Sequence, residues 1–203
     1  LLGDGVFAGL APGATVIAVD AFHRSGDVDE ADAYDLAAAL DLLARRQVDV
    51  INLSLAGPAN AVLDQVGAAI SAREIAIVAA SGNKGPDGPA AYPAAYPWAI
   101  AITATDADNQ AYRRSGRGPH IRLAAPGVGL RLLDIRGRPA LHSRTSYAAP
   151  FIAAAIAALR SDDGRDGAAS PIERLERAAL DLGAAGRDPV FGHGLVQLAG
   201  ACR

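Results

Sequence analysis

Strand-like and helix-like patterns alternate along this chain, and that alternation admits few architectures. Val50 to Leu55 (VINLSL), Ile75 to Ala80 (IAIVAA) and Ala99 to Thr103 (AIAIT) read as buried strands. Thr15 to Ala21 (TVIAVDA) is β-branched, bounded by Pro-Gly before it and Ser-Gly after it, and is expected to be a strand as well. Helical spacing fills the intervals. Asp29 to Arg46 repeats Tyr34, Ala37, Leu40 and Leu43 at helical steps, with acids in its first turn and Arg45 and Arg46 in its last, and Asn60 to Arg73 follows as a second helix. The repeating unit of strand, turn and helix is that of an α/β domain of parallel strands and crossover helices.

Two further helices carry more specific signals. Thr145 to Arg160 is so rich in alanine that little but a helix suits it, and Pro150 is tolerated only near a first turn, where amides lack intrahelical partners. Ser146 therefore stands at or near a helix N-terminus. Ser170-Pro171-Ile172-Glu173 combines a capping serine, a proline at the first helical position and a glutamate three residues after the cap, with Gly183 available as the stop. Between two of the strands, Ser81 to Pro97 is a long Gly- and Pro-rich connection, of the kind that is more often functional than ornamental.

Composition excludes several functions. The 203 residues suit one domain, and residues 1–203 are taken as a single unit. Hydrophobic residues make up 51% and aromatics 5%, so the core is built from Ala, Val, Ile and Leu in close-packed helices. A net charge of −3, with acids and bases interspersed, gives no field to attract nucleic acid. Cys202 is the only cysteine, which excludes an internal disulfide and a clustered-thiolate metal site. No apolar run is long enough to span a bilayer. No cofactor is expected, and a structural calcium finds no support, because isolated helix or loop acids are not a ligand cage. The chain opens Leu1-Leu2-Gly-Asp-Gly with no methionine anywhere, and is expected to be the C-terminal part of something longer. The absence of a signal peptide is then uninformative.

Two segments could carry chemistry: Arg144-Thr145-Ser146-Tyr147-Ala148-Ala149-Pro150, entering a helix, and Ala79-Ala80-Ser81-Gly82-Asn83-Lys84-Gly85, leaving a strand. A serine at a helix N-terminus has its own N–H and the positive end of the dipole where an oxyanion would form. An asparagine just past the C-terminal edge of a strand can aim its amide into the same crevice. Taken singly, the first is no more than an N-cap and the second no more than a turn. Nucleotide binding at Ser81 to Gly85 is a poor reading, since no helix opens there and no Ser or Thr follows a Gly-Lys pair.

Their order and company decide between these readings. Gly9-Leu-Ala-Pro-Gly-Ala precedes Asp49-Val-Ile-Asn-Leu-Ser-Leu-Ala-Gly-Pro58, then Ile77-Val-Ala-Ala-Ser-Gly-Asn83, Tyr92-Pro-Ala-Ala-Tyr-Pro97, Ala124-Ala-Pro-Gly-Val128, Thr145-Ser-Tyr-Ala-Ala-Pro150 and Phe191-Gly-His-Gly-Leu-Val196. This succession closely resembles the subtilisin-like serine proteases from just after their catalytic histidine helix to the end of the domain. The resemblance implies a three-layer parallel-sheet fold lacking the N-terminal strands and the histidine helix. It implies that Ser146 is the nucleophile and Asn83 the oxyanion donor. Ser54, Leu55 and Ala56 would pair with substrate backbone, with Gly57 just beyond, Ala80, Ser81 and Gly82 would form the opposite wall of the primary specificity pocket, and Thr145 would border it. No metal ligand is assigned.

The triad of that family runs Asp, His, Ser, and this chain carries only the last. The aspartate and histidine are expected upstream of Leu1, on a segment of the same protein that would act as its partner. None of His23, His120, His142 and His193 lies in a matching motif. His142 could replace the base only if its loop folded back on the helix start, and His193 reads as a surface or turn residue. Asp20 and Asp106 read as loop acids. Arg144 stands where the family usually has glycine, either narrowing the pocket and favouring acidic substrate groups or turning outward into solvent. Tyr147, Ala149 and Phe151 also depart from the usual residues, at packing positions. Two functions of different class remain: an endopeptidase acting on a peptide or protein through an acyl-enzyme, and a non-catalytic scaffold that binds peptides along Ser54 to Gly57. The family resemblance implies a secreted or periplasmic location.

Overall fold

The computed structural model describes residues 9–26, 28–134, 136–161 and 169–201. A short antiparallel hairpin, β1 (His23–Ser25) and β2 (Val28–Glu30), leads into α1 (Ala33–Arg45). Next come β3 (Val50–Leu53), α2 (Ala61–Ser71), β4 (Ala76–Ala80), β5 (Ile100–Thr105) and β6 (Ile121–Pro126). A second hairpin of β7 (Leu130–Leu133) and β8 (Pro139–His142) precedes α3 (Thr145–Ser161), α4 (Pro171–Ala178) and α5 (Leu198–Ala201).

Strands β3, β4, β5 and β6 form one parallel sheet in that order. Side chains alternate across a strand, so β4 sends Ile77 to one face and Val78 and Ala80 to the other. On the first face Ile51, Ile75 and Ile77 pack with Leu40 and Ala44 of α1 and Ile70 of α2. On the second, Ile100, Ile102, Ala104, Leu123 and Ala125 pack against Ala148, Ile152, Ile156 and Leu159 of α3. The result is the expected α/β arrangement of three layers. Alanine is abundant in α3 because most of that helix is buried: small side chains let it lie close against the sheet.

The chain differs from the sequence reading at several points. Thr15 to Ala21 is not a strand, and Val16 and Ile17 are 61% and 40% exposed. Its composition is right, but a strand needs a ladder, and among the described residues no strand pairs with it. The first helix begins at Ala33 rather than Asp29, because the Asp32 carboxylate accepts the N–H groups of Tyr34 and Asp35 and fixes the start there. Tyr34, counted on the apolar face, is 81% exposed. The capping box at Ser170 forms as expected, but α4 ends at Ala178 with Ala179 extended, so Gly183 lies beyond the stop, in a turn with φ near +80°. Strand β6 and the β7–β8 hairpin had no counterpart in the sequence reading. Cys202 lies outside the described residues.

The long connection after β4 is anchored through its tyrosines. The Tyr96 hydroxyl accepts the Asn60 N–H at 2.6 Å and donates to the Asn60 carbonyl at 2.8 Å, while Asn60 itself caps α2. Trp98 stacks on Tyr96 with ring centroids 5.1 Å apart and donates its indole N–H to Asp64 at 2.8 Å. The Trp98 ring packs so closely on Gly67 of α2 that a Cβ there would lie well inside contact distance of three of its carbons. Replacing a mid-helix glycine by alanine ordinarily stabilises by about 0.5–1 kcal/mol. Gly67→Ala should instead destabilise by about 1–3 kcal/mol through overpacking, read as a lower urea midpoint.

Candidate active site

Three segments distant in sequence meet at the C-terminal edge of the sheet, where open α/β sheets present their ligand crevices. They are the extension of β3 through Ser54 to Gly57, the extension of β4 through Ser81 to Asn83, and the first turn of α3.

The junction of the last two fixes Asn83. The Thr145 N–H, an orphan donor of the first helical turn, donates to Asn83 Oδ1 at 3.0 Å, and Thr145 Oγ1 lies 3.3 Å from the same oxygen and from the Gly82 carbonyl. Because Thr145 presents an N–H to Asn83, the Asn83 atom opposite it must be the amide oxygen, which fixes the orientation of the amide on chemical grounds. Its Nδ2 is left without a protein acceptor among the described residues. Thr145, expected to border substrate, is fully buried, a placement that suits holding Asn83.

Close approach of these segments depends on glycine at two places. Gly82 has φ near +92°, and a Cβ there would meet the Ala91 methyl at 2.8 Å. A Cβ on Gly127 would lie 2.9 Å from the Arg144 carbonyl and 2.6 Å from the Ala104 methyl; in its absence the Arg144 N–H reaches the Gly127 carbonyl at 2.9 Å. Together these bonds seat the start of α3 over the ends of β4, β5 and β6.

Ser146 is partly exposed in the first turn of α3, and its own N–H has no protein acceptor among the described residues. Its hydroxyl donates to the Ser54 carbonyl at 3.3 Å. In return Ser54 Oγ donates to the Ser146 carbonyl at 3.0 Å and accepts from Asn52 Nδ2 at 3.0 Å. The Ser146 carbonyl is open to Ser54 for a definite reason. In an α-helix it would accept the N–H of the residue four positions on, and that residue is Pro150, which has none and whose ring crowds this carbonyl. Asn52 was not singled out in the sequence, although its period-two spacing from Ser54 was visible there.

The segment facing Ser146 has open backbone. Leu55 and Ala56 make no backbone hydrogen bonds among the described residues, and Ala56 is exposed. Gly57 differs: it exchanges two backbone hydrogen bonds with Tyr92, at 2.8 and 3.1 Å, and so ends the free stretch. On the opposite side Ala80, Ser81 and Gly82 are buried, with the Ser81 N–H bonded to the Ile102 carbonyl at 2.9 Å.

Among the described residues no histidine is hydrogen-bonded to Ser146. His142 Nδ1 lies 2.9 Å from the Tyr147 hydroxyl, His23 lies near Glu30, and His193 lies 3.9 Å from Glu176. Burial holds the pKa of His120 below its usual value, which favours the neutral ring. Among the described residues no three His, Cys, Asp or Glu side chains gather into a cluster. No described helix is long and apolar enough to cross a membrane.

Comparison with known proteins places the chain in a family. The chain is 34% identical over 191 residues to the minor extracellular protease Epr of Bacillus subtilis (strain 168), covering 93% of this chain and 29% of that protein. It is 32% identical over 196 residues to subtilisin Savinase of Lederbergia lenta, covering 96% of this chain and 70% of the relative. With subtilisin E of Bacillus subtilis (strain 168) the identity is 31% over 201 residues, and the chain spans 51% of that protein's length. The chain thus corresponds to about half or less of several of these relatives. Among solved structures, the prenylagaramide maturation protease PagA superposes with a TM-score of 0.74 at 20% identity, over 88% of this chain and 69% of that one, which shows a shared fold. The protease domain of PatA gives a TM-score of 0.71 at 26% identity, over 83% and 63% of the respective chains. Residues 2–194 match the sequence profile of the Subtilase family, and the chain belongs to that family.

Proposed function

We propose that the protein to which this chain belongs is a serine endopeptidase, with Ser146 as nucleophile and Asn83 as oxyanion donor. The observation that carries this reading is the Thr145–Asn83 hydrogen bond, which commits the amide oxygen inward and leaves Nδ2 as a fixed donor. A peptide would lie along Ser54, Leu55 and Ala56 as an added strand, using the open backbone of Leu55 and Ala56. The side chain before the scissile bond would enter between that segment and Ala80, Ser81 and Gly82.

Ser146 Oγ then attacks the carbonyl carbon, while a histidine supplied by the upstream segment takes the hydroxyl proton and an upstream aspartate orients that histidine. The oxyanion is held by Asn83 Nδ2 and the Ser146 N–H, aided by the dipole of α3. The histidine returns its proton to the departing amine, and water resolves the acyl-enzyme by the same path. The upstream segment would also supply a ladder for Thr15 to Ala21 and the free edge of β3. Export is proposed on the same footing, from relatives such as the one named an extracellular protease.

A specific observation favours a second reading. The Ser146 hydroxyl rests on the Ser54 carbonyl with no base beside it among the described residues, which would also suit a peptide-binding scaffold. A fluorophosphonate probe decides between them. The protein with its upstream segment should be labelled stoichiometrically, whereas this chain alone should not. Peptide binding without labelling of the longer protein would establish the scaffold.

A further inference from the structure

We infer that this site selects peptides carrying an acidic side chain on the residue that enters the pocket, an inference that rests on the peptide-binding reading above. Three segments bring basic residues to the Asn83 side of the crevice. Lys84 directly follows Asn83 and is exposed. Arg113, Arg114 and Arg117 lie on a segment fastened to the same loop by three hydrogen bonds. Arg114 Nε donates to the Asn83 carbonyl at 3.2 Å, the Gly85 N–H to the Arg114 carbonyl at 2.9 Å, and the Gly116 N–H to the Gly82 carbonyl at 3.2 Å. Arg144, exposed, immediately precedes Thr145, whose N–H holds Asn83.

None of these five cations takes part in an ion pair among the described residues. Residues 80–88, 111–118 and 142–147 supply one carboxylate, Asp87, against them, and the facing segment 54–59 has no charged residue. This local excess of positive charge stands out in a chain whose net charge is −3. Exposed cations that are each screened and individually weak still sum to a field along a crevice, which attracts an anionic ligand and repels a cationic one. The Arg114–Asn83 bond places one of these charges on the loop that carries the oxyanion donor. A carboxylate seated between the walls would therefore feel the cations on one side without an opposing charge on the other. Charges of this kind act mainly on the rate of encounter and on its salt dependence.

The test uses the protein with its upstream segment and a set of quenched-fluorescence peptides that differ only in carrying Glu, Gln or Lys before the scissile bond. At low ionic strength kcat/KM should fall in the order Glu, Gln, Lys, with about tenfold or more between the extremes, and the spread should shrink at high salt. Lys84→Glu combined with Arg144→Glu should reverse the order, while the milder Lys84→Gln should compress it. A flat series, a preference for Lys, or an order unmoved by these substitutions would overturn the inference. If no peptide is cleaved, the peptidase reading fails separately. The same peptides are then titrated as ligands by fluorescence anisotropy, where tighter binding of the Glu peptide upholds the charge selection and equal binding refutes it.

Discussion

Replacing Ser146 by alanine in the complete protein is expected to abolish fluorophosphonate labelling and to lower kcat by about 10⁶-fold, the figure known for loss of the nucleophile in subtilisin and taken from there. The structure makes this a clean experiment. The Ser146 side chain makes one long hydrogen bond, to the Ser54 carbonyl at 3.3 Å, whereas the bond that Ser54 Oγ makes runs to the Ser146 main chain and survives the substitution. The stability cost should therefore stay within about 1 kcal/mol, measured as an unchanged urea midpoint. Turnover that persists in a folded Ser146→Ala protein would remove this residue from the mechanism.

Asn83 gives the second large effect, and here two roles must be separated. Its Oδ1 holds the Thr145 N–H and its Nδ2 is the proposed donor. Asn83→Asp keeps the first and replaces the second by a carboxylate oxygen, which donates nothing and repels a developing oxyanion. Loss of such a donor in subtilisin costs about 10²–10³-fold in kcat, and the added repulsion should make the loss at least that large, with KM little changed. The urea midpoint should nearly hold. Asn83→Ala removes both functions, leaves the Thr145 N–H unsatisfied, and should cost about 1–3 kcal/mol of stability besides the rate. Should the Asp variant unfold as readily as the Ala variant while retaining its rate, Asn83 is a strut and not a donor.

The parts of the fold visible in the sequence were those fixed locally. Asn60 and Ser170 declare their helices because a cap is decided within four residues, and Ile75 to Ala80 declares its strand because both faces are buried. Thr15 to Ala21 misled for the opposite reason: its residues suit a strand, but whether they form one depends on a neighbour elsewhere in the protein. The β7–β8 hairpin escaped because Leu133 and Leu141 are exposed at 51% and 76%, so its pattern does not follow burial. At the candidate site, the segments of Ser146 and Asn83 are each ambiguous when taken singly, and nothing local brings together two residues whose bridging contacts span 62 positions of chain. The order of many short motifs supplied that connection. Arg114 remained hidden because it acts on Asn83 through a backbone carbonyl, a contact with no signature in residue type.

Pro150 illustrates how a stabilising redesign of this chain would go astray. Judged by helix propensity, it is the first residue to replace in α3, and alanine there would gain up to about 3 kcal/mol of intrinsic preference. The gain would come from closing a helical hydrogen bond onto the Ser146 carbonyl, the same atom that Ser54 Oγ now holds. The more regular helix would thus compete for the tether between the serine and the segment it faces. Both contacts would then crowd one carbonyl oxygen, so, if the proposed function holds, selecting variants by melting temperature alone is expected to enrich for proteins that last longer and turn over less.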